Sequence, residues 1–538
     1  MGSVEFSNVS FGYSIGPPVL DDVSFKVGDG DHSALVGANG AGKTTILRLI
    51  ADELSPTEGT IGISGSWNYM NQMIGIAEGL TLRELYLSLS PTEFVEAADR
   101  LRTAEAGLVD GAEGDGGERA GIRYAEALGR WEAIGGYDLE VLWAECADRA
   151  IGLPWSELAD RPSETFSGGE QKRLALELLF RSDDDVLLLD EPDNFLDVQG
   201  KNWLADQLNA SQKTILYVSH DRELLAATSR KVITIEAKGA WTHGASFATW
   251  AEARRSRQIQ IDDENKRWED ERHRLVLHLK EMKRRAAMSE KFAPRAKAAE
   301  SRLRQYDERG RPPAKIADQE IDMRLSGGRT GKRAVILERL ELTDLTFPFD
   351  DETWFGDRVA VVGRNGTGKS HFLRLLAGQP IDHDGRWRLG ANVVPGLFSQ
   401  THEHPELAGR TLSAILTEDH IDSQINAVGR AMGLLRRYEL QDAADQTWES
   451  LSGGQQARFQ ILQLELSGAT LLLLDEPTDN LDVASAEALE AGLASFQGTV
   501  IAVSHDRWFL RSFDRFLIFD PDGEVHHADD PERAWVTA

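Results

Sequence analysis

The sequence has very little cysteine and no long hydrophobic run. Cys146 is the only cysteine among 538 residues, which excludes an internal disulfide and leaves no Cys/His cluster for zinc or an iron–sulfur cluster. The longest apolar stretches, such as 186–189 and 471–474, fall far short of the ~20 residues of a membrane helix. No basic region followed by an apolar run marks a signal peptide at the start. These absences predict a cytoplasmic protein without a membrane segment or a structural metal.

Basic residues are also scarce relative to acidic ones. Lys and Arg total 59 against 88 Asp and Glu, a formal net charge of −29. Such a charge favours solubility and opposes indiscriminate adsorption to nucleic acid. The length accommodates roughly three or four units of ~150 residues each, so two nucleotide-binding cores would fit.

One ordered set of motifs occurs twice: a glycine-rich phosphate loop, a glutamine, an SGG(E/Q)Q segment, an apolar strand ending in Asp-Glu, and a Ser-His-Asp. A single phosphate loop occurs in many nucleotide-binding proteins, but five elements repeated in one order indicate one machine with two composite ATP sites. The first copy comprises Gly37, Asn39, Gly40, Gly42, Lys43, Thr44, Thr45, Gln72, Ser167, Gly168, Gly169, Gln171, Asp190, Glu191 and His220. The second copy comprises Gly363, Asn365, Gly366, Gly368, Lys369, Ser370, Gln400, Ser452, Gly453, Gly454, Gln456, Asp475, Glu476 and His505.

The phosphate loops supply donors for the β and γ phosphates of ATP. Their glycines let the backbone curl so that its N–H groups and the following helix N-terminus face the anion. Lys43 and Lys369 add positive charge, and the hydroxyls of Thr44 and Ser370 can ligate Mg²⁺.

Each Asp-Glu pair follows an apolar run that is typical of a parallel strand covered on both faces. Asp190 and Asp475 can reach Mg²⁺ or its waters from the end of such a strand. The adjacent Glu191 and Glu476 can orient or deprotonate the attacking water.

Two further side chains in each copy complete the predicted catalytic set. His220 and His505 follow apolar strands, which predicts imidazoles near the γ-phosphate. Gln72 and Gln400 are candidate sensors of Mg²⁺ and the attacking water. A lone histidine is more often structural, but the shared order and spacing of both copies favour the catalytic interpretation.

The first copy contains an insertion. Matching residues are 328 positions apart at the glutamines but 285 apart from the SGG segment onward, so the first copy has 43 more residues in between. Helical composition at 92–105 and 122–134, separated by the glycine-rich stretch 107–121, predicts two helices joined by a mobile loop. Residues 91–140 carry a net charge of −7, which opposes RNA binding.

The segment 251–310 has a net positive charge, in contrast to the net negative charge of the whole chain. It has 17 basic and 12 acidic residues, and apolar side chains from Ile261 to Met282 recur at helical spacing along a narrow seam. A turn at 288–294 and a second helix from about 295 to 309 predict a helical hairpin between the cores. Cations near the tip favour contact with a phosphate backbone, although a solvated charged linker would have a similar composition.

Both halves resemble ABC-type ATPase cores, and with their charged hairpin the whole chain resembles the ABC-F group of translation-associated ATPases. Its usual EPTNHLD reads EPDNFLD at 191–197 and EPTDNLD at 476–482, which leaves the Asp-Glu pairs and final aspartates intact. Tyr13 matches the aromatic that stacks on adenine, whereas 341–344 in the second half has no aromatic residue. By the resemblance, one ATP site would combine Lys43, Asp190 and Glu191 with Ser452 and Gly454, and the other Lys369, Asp475 and Glu476 with Ser167 and Gly169.

The resemblance implies an α/β fold with two tandem P-loop ATPase domains joined by a long α-helical hairpin. The expected domains are 1–250, with a helical insertion at about 85–150, then 251–325 as the hairpin, and 326–538. It implies ATP and Mg²⁺ as cofactors and a monomer whose two ATPase domains pair within the chain. The expected partner is the ribosome, with rRNA and tRNA contacted through about 280–295, in translation regulation or antibiotic protection.

Two other functions fit parts of the sequence. An ATPase subunit of a membrane exporter would need a coupling surface for transmembrane partners, and the chain offers a hairpin instead. A chromosome-maintenance ATPase would need a coil of hundreds of residues between its halves, and this one has about 60.

Overall fold

The computed structural model describes residues 2–13, 18–71, 79–110, 115–312, 321–399, 404–419, 427–479 and 481–529. Within these ranges the chain forms two similar α/β halves with a pair of long helices between them. The predicted fold class is therefore confirmed.

The first half combines a mixed sheet, a small antiparallel sheet and surrounding helices. Its strands are β1 (Ser3–Phe11), β2 (Leu20–Val27), β3 (His32–Gly37), β4 (Glu58–Ser64), β5 (Trp67–Met70), β6 (Val186–Asp190), β7 (Thr214–Val218), β8 (Lys231–Glu236) and β9 (Gly239–His243). Its α-helices are α1 (Lys43–Ile50), α2 (Leu82–Ser88), α3 (Thr92–Asp110), α4 (Asp115–Ala133), α5 (Gly136–Ile151), α6 (Trp155–Leu158), α7 (Gly168–Arg181), α8 (Val198–Ala210) and α9 (Arg222–Thr228).

The connecting pair consists of two helices separated by a short 3₁₀ turn. These are α10 (Trp250–Met288) and α11 (Ala293–Glu308).

The second half repeats the plan of the first. Its strands are β10 (Arg333–Leu342), β11 (Phe349–Trp354), β12 (Arg358–Gly363), β13 (His383–Leu389), β14 (Pro395–Phe398), β15 (Leu471–Asp475), β16 (Thr499–Val503), β17 (Arg515–Phe519) and β18 (Val525–Ala528). Its α-helices are α12 (Lys369–Leu376), α13 (Leu412–Asp419), α14 (Ala427–Arg437), α15 (Gly453–Leu466), α16 (Val483–Ser495) and α17 (Arg507–Leu510).

The two main sheets have the same strand order. The first is β5-β6-β7-β3-β8-β9 and the second is β14-β15-β16-β12-β17-β18, parallel except for the last strand of each. Smaller antiparallel sheets, β2-β1-β4 and β11-β10-β13, accompany them. Because parallel strands end at one edge, the loops after β3, β6 and β7 meet there, and the same holds for β12, β15 and β16.

Both faces of each main sheet are covered, which explains the apolar runs before the Asp-Glu pairs. Leu188 packs with α1 and the small sheet, whereas Leu187 and Leu189 pack with α7 and α8 on the opposite face. Every residue of β6 and β15 is buried. Successive side chains of a strand point to opposite faces of the sheet. A strand that is covered on both faces is therefore apolar at every position.

The helical insertion is longer and more regular than the sequence predicts. Its first helix extends to Asp110 and its second begins at Asp115, so 115–121 is helical where the sequence suggests a loop. Interior glycines cost only about 1 kcal/mol each, and packing of α3 against α4 overcomes that cost. The remaining residues of the predicted loop, 111–114, lie outside the described residues.

The connecting helices form the predicted hairpin. Trp268 of α10 stacks on Tyr306 of α11 with ring centroids 5.7 Å apart, and Lys283 pairs with Glu300 nearer the tip. The second helix starts at Ala293 rather than 295, because proline at the first turn of a helix needs no hydrogen-bond partner for its nitrogen.

The base of α10 is attached to the first main sheet. The Trp250 indole donates a buried hydrogen bond to the Thr234 hydroxyl at 2.8 Å and stacks on Phe247. Arg254, one turn further along, pairs with Glu236 at the end of β8. The hairpin therefore begins as a continuation of the first half.

Candidate functional site

The first phosphate loop connects β3 to α1 in a tight curve. Gly42 has φ 101°, and a Cβ there would lie 2.9 Å from a Val19 methyl group, so only glycine fits. Lys43 Nζ donates to the carbonyls of Gly37 at 2.8 Å and Ala38 at 3.1 Å. Burial lowers the pKa of Lys43, and nearby carboxylates, Glu191 first, oppose that change. The lysine thus spans its own loop, where phosphate oxygens would meet it.

The second phosphate loop, between β12 and α12, has the same geometry. Lys369 Nζ donates to the carbonyls of Gly363 and Arg364, both at 2.7 Å. Gly368 has φ 93°, matching its counterpart in the first loop. The structure therefore builds two equivalent phosphate cradles from the repeated motif.

Asp190 and Asp475 lie at the ends of β6 and β15, beside the hydroxyls that follow each lysine. Ser370 Oγ donates to Asp475 Oδ1 at 3.1 Å. Burial raises the pKa of Asp190, and the nearby Thr44 hydroxyl opposes the rise. A hydroxyl and a carboxylate at one point are oxygen ligands of the kind that Mg²⁺ accepts, so each pair fits the ion.

Glu191 and Glu476 adopt left-handed backbone conformations, with φ 49° and 48°. Such values are strained for a residue with a side chain and are found preferentially at functional sites. Burial, followed by the charges of Asp190 and Asp193, raises the pKa of Glu191 to about 7. Burial, followed by Asp479 and Asp475, raises the pKa of Glu476 to about 8. Both carboxylates are thus poised to accept a proton near neutral pH.

Each predicted histidine lies beside its glutamate. His220 Nε2 is 3.7 Å from Glu191 Oε1, and His505 Nε2 is 3.5 Å from Glu476 Oε1. Burial, followed by the charge of Lys43, lowers the pKa of His220 to about 3. Burial also holds the pKa of His505 well below its usual range. Both imidazoles are therefore neutral.

A cavity of 430 Å³ joins the second phosphate loop to the signature segment of the first half. Ser167 and Gly169 line one side, and Asn365, Glu476 and His505 line the other. The structure thus brings residues from both halves around one space.

Asn365 links the two sides of this cavity. Its Nδ2 donates to the Phe195 carbonyl of the other half at 3.1 Å, and its Oδ1 lies 3.1 Å from His505 Nε2. A Cβ on Gly169 would lie 2.7 Å from that same carbonyl, so the signature glycine allows the close approach. With oxygens on both sides of it, His505 Nε2 carries the imidazole proton.

The first phosphate loop is also reached from the opposite half. The Asn39 amide donates to Asp482 Oδ2 at 3.0 Å, and Asp482 caps the N-terminus of α16. Burial raises the pKa of Asp482, but hydrogen bonds from Asn39 and Ser485 bring it below the usual value. Asp197, the matching cap of α8, lies 4.0 Å from Arg364 of the second loop.

The signature serines begin helices. Ser167 caps α7 in a reciprocal pair of bonds with Glu170, and Ser452 caps α15 with Gln455 in the same way.

The signature glutamines contact their own loops. The side-chain amide of Gln171 donates to the Ser163 carbonyl at 2.7 Å, and that of Gln456 donates to the Trp448 carbonyl at 3.0 Å. The structure brings Ser167 and the two glycines of the first segment to the cavity, but turns both glutamine side chains toward their own loops. Gly168 lines the cavity, and Gly453 and Gly454 open α15.

Tyr13 lies beside the helix that follows the first phosphate loop. Its hydroxyl is 3.3 Å from Thr45 Oγ1, and its ring is 48% exposed, which leaves a face available for stacking. In the second half, Phe349 is buried against Phe372 and Phe519, so it serves the core. Gln72 and Gln400, the predicted sensors, lie outside the described residues.

Sequence analysis missed several polar residues between the halves. Asn194 Nδ2 donates to Glu191 Oε2 at 2.6 Å, and Lys201, Asp193 and Asp479 line the cavity described above. The departures from EPTNHLD at 193 and 479 were the available signal. Each replaces a neutral residue with a carboxylate at the cavity between the halves.

No helix within the described ranges is both long enough and apolar enough to span a membrane.

The chain matches the family model described as ABC transporter over residues 20–194 and 349–479. It is 48% identical to an antibiotic resistance protein of Mycobacteroides abscessus, over 100% of both chains. It is 30% identical to ABC transporter F family member 5 of Arabidopsis thaliana, over 97% of this chain and 75% of that protein.

Among solved structures, the chain is similar to the archaeal ribosome recycling factor aABCE1, determined in complex with the archaeal ribosomal stalk protein aP1. The TM-score is 0.56 at 18% identity, with 97% of this chain and 89% of that chain covered. At this identity the likeness concerns the fold. The matched regions of the family model contain both phosphate loops and both Asp-Glu pairs.

Proposed function

The chain belongs to the ABC transporter F family and is an ATP-binding, ATP-hydrolysing enzyme, and from that premise we propose that it is a cytoplasmic, ribosome-associated factor. Its hairpin contacts tRNA or rRNA, and its action regulates translation or protects ribosomes from an antibiotic. The cavity lined by both halves carries the proposal, because a nucleotide bound there would contact both halves and so influence the position of the hairpin between them.

The proposed ATP site at the second phosphate loop uses residues of both halves. Lys369 and the loop amides bind the β and γ phosphates, while Ser167 and Gly169 approach from the other half. ATP thereby bridges the halves and favours their closed arrangement. The first phosphate loop is proposed to act in the same way with Ser452 and Gly454.

Hydrolysis in this proposal depends on the buried glutamate at each site. Glu476 accepts a proton from the attacking water, and its raised pKa of about 8 favours proton uptake. The backbone N–H of His505 donates to Glu476 Oε2 at 3.1 Å and so orients the carboxylate. Mg²⁺, held by Ser370 and Asp475 at this site and by Thr44 and Asp190 at the other, would neutralise phosphate charge when bound. Gln72 and Gln400 are proposed to sense the ion and the water.

The hairpin supports the choice of a nucleic-acid partner. Residues 251–310 carry a net charge of +5 in a chain of net charge −29. At the proposed contact region of 280–295, Arg295 lies over the Phe292 ring, 5.6 Å from its centroid. Phosphates attract such a surface, and the opposite charge of the remaining chain limits contact elsewhere. The name of the M. abscessus relative supports the antibiotic-protection alternative.

Ribosome binding by a hydrolysis-blocked variant tests the proposal. Changing both Glu191 and Glu476 to Gln should trap the ATP-bound state and hold the protein on ribosomes in ATP during cosedimentation. A matched variant with Lys43→Ala and Lys369→Ala should stay in the supernatant, because its loops lose the phosphate-binding charge. Addition of tRNA, and of antibiotics of several classes, would identify competing ligands.

The proposal is contradicted if the glutamine variant never cosediments with ribosomes in ATP. Copurification of the natural protein with membranes would instead favour the exporter-subunit alternative.

A further inference from the structure

A buried lysine lies among carboxylates where the two halves meet. Lys201 of α8 is 8% exposed, and its Nζ is 3.0 Å from Asp221 Oδ2. Asp193, Asp479 and Asp506 line the same cavity. One ammonium is therefore placed among four acidic side chains, which we call the central cluster.

The central cluster combines both halves of the chain. Asp193 and Asp221 belong to the first half, and Asp479 and Asp506 belong to the second. Burial alone would lower the pKa of Lys201, but Asp221 and Asp193, followed by Asp479 and Asp506, raise it above its usual value. The lysine charge thus acts across the interface as well as within its own half.

Comparison of the two copies shows that this lysine is not part of the repeated machinery. At the constant separation of 285 residues, Asp221 corresponds to Asp506, but Lys201 corresponds to Ala486 and Asp193 to Thr478. The charged pair of Asp193 and Lys201 is therefore present in the first half and is replaced by neutral residues in the second half.

The positive charge of Lys201 offsets the repulsion among the carboxylates of the central cluster. Closing the halves brings the carboxylates of each half together in a buried space, where like charges repel strongly. Cations at its edge already have partners: Arg222 pairs with Glu490 across the interface, and Arg507 donates to Asn202 at 2.8 Å. Arg222 is also 3.6 Å from Asp506. Buried Lys172 also faces Asp193, but together with Glu191 and Asp190 of its own half. Lys201 is the cation that faces Asp193 and Asp221 together with Asp479.

We propose that Lys201 is a positioning residue that stabilises the ATP-closed arrangement by serving as one cation shared by carboxylates of both halves. The inference rests on the ATP-driven closure of the proposed function, and it adds a residue of one half on which closure depends. In the open arrangement Lys201 keeps its partner Asp221, so its loss should affect closing more than folding of each half.

Fluorescence transfer between dyes on the two halves can test this inference in purified protein. Cysteines at the exposed positions Glu58 and Asp384 would carry the dyes. The natural Cys146 is buried, and burial raises its pKa to about 12, so it should not be labelled. Closure would be titrated with Mg²⁺ and a nonhydrolysable ATP analogue, without ribosomes.

The decisive variant is Lys201→Met, which keeps the stem and removes the charge. We expect the analogue concentration at half-closure to rise about tenfold or more, because removing one partner leaves buried charges uncompensated. Lys201→Arg should restore most of the closure. The matched control is Lys213→Met, since Lys213 bonds within its own half, to Ser182 and to the Asp184 carbonyl at 2.7 Å, and should not change the midpoint.

A second variant covers the possibility that Lys201→Met does not fold. Asp193→Thr combined with Lys201→Ala copies the neutral pair that the second half already contains at 478 and 486. It leaves Asp221 facing the second half without its cation, so closure should still weaken while thermal unfolding of the nucleotide-free protein changes little. Closure of either variant at the natural midpoint, or an equal shift in Lys213→Met, overturns the role of Lys201. Failure of the unmodified protein to close overturns the ATP clamp itself.

Discussion

The two halves of the chain share their catalytic geometry and differ in what surrounds it. In both, the loop lysine donates to two carbonyls, the glutamate has a left-handed backbone, and a neutral histidine lies within 3.7 Å of it. The first half alone has the helical insertion and the charged pair of Asp193 and Lys201. It also has an aromatic residue, Tyr13, where the matching stretch of the second half, 341–344, has none. The catalytic residues are therefore duplicated, whereas the residues that surround them differ between the halves.

The largest expected effect comes from blocking one glutamate at a time. Either Glu191→Gln or Glu476→Gln should lower hydrolysis at its own site by ~10²-fold or more, the range expected when a general base is lost, so that the phosphate still released comes from the other site. The loss should be greater for Glu476→Gln, because Glu476 shares the cavity with Ser167 and Gly169. Steady-state phosphate release measures both variants.

The surviving base should also determine the pH profile of each single variant. A base works only when deprotonated, so activity is lost as pH falls through its pKa. In Glu191→Gln, kcat/KM should fall below pH about 8, set by Glu476, and in Glu476→Gln below pH about 7, set by Glu191. Equal losses with superimposable profiles would show that the two sites are equivalent, contrary to this comparison.

An intermediate effect is expected at the adenine side of the first site. Stacking of a base on an aromatic ring contributes about 1–3 kcal/mol, so Tyr13→Ala should weaken ATP binding at that site by about tenfold. Titration with a fluorescent ATP analogue, with the second site disabled by Lys369→Ala, measures this affinity.

Phe347 provides the control for the tyrosine variant, since it is an exposed aromatic residue of the second half, beside Gly523, and is not part of the core. Phe347→Ala should leave ATP affinity unchanged when the first site is disabled. A loss equal to that of Tyr13→Ala would mean that both sites stack adenine.

The smallest expected effect concerns the hairpin tip. Arg284 and Arg285 both pair with Glu281, at 3.0 and 2.7 Å, so their charge is partly compensated and solvent screens the rest. Reversing both to Glu should reduce the salt dependence of ribosome binding by less than ~0.9 per residue in the log–log slope. Intrinsic ATPase activity should stay constant.

Arg304→Glu is the matched variant on α11, because Arg304 also pairs within its own helix, with Glu308 at 3.6 Å. It lies away from the tip and should leave the salt slope unchanged. An unchanged slope in the tip variant as well would favour a solvated linker over a phosphate-binding surface.

Much of the fold could be predicted because its signals are local and repeated. The apolar strands before Asp190 and Asp475, the glycine-rich loops and the seam of α10 each follow from periodicity or turn chemistry. The glycine-rich end of α4 could not be predicted in this way, because packing against α3 outweighs the low helix propensity of glycine.

Residues at the predicted ATP sites were identifiable from motif order, but their contacts were not. Sequence alone does not show that Asn365 reaches the Phe195 carbonyl, or that Asp482 caps a helix and accepts from Asn39. Those contacts depend on how two distant segments approach each other. For the same reason the role of Lys201, on a helix of ordinary composition, becomes visible only in three dimensions.

The attachment of Trp250 to Thr234 turns the hairpin into a lever. With 39 residues, α10 extends for about 58 Å at ~1.5 Å per residue. A turn of roughly 10° at its root would sweep the far end through a distance on the order of 10 Å, comparable to the width of one helix. Small adjustments beside the nucleotide pockets would thus be magnified into displacements as large as a nucleotide.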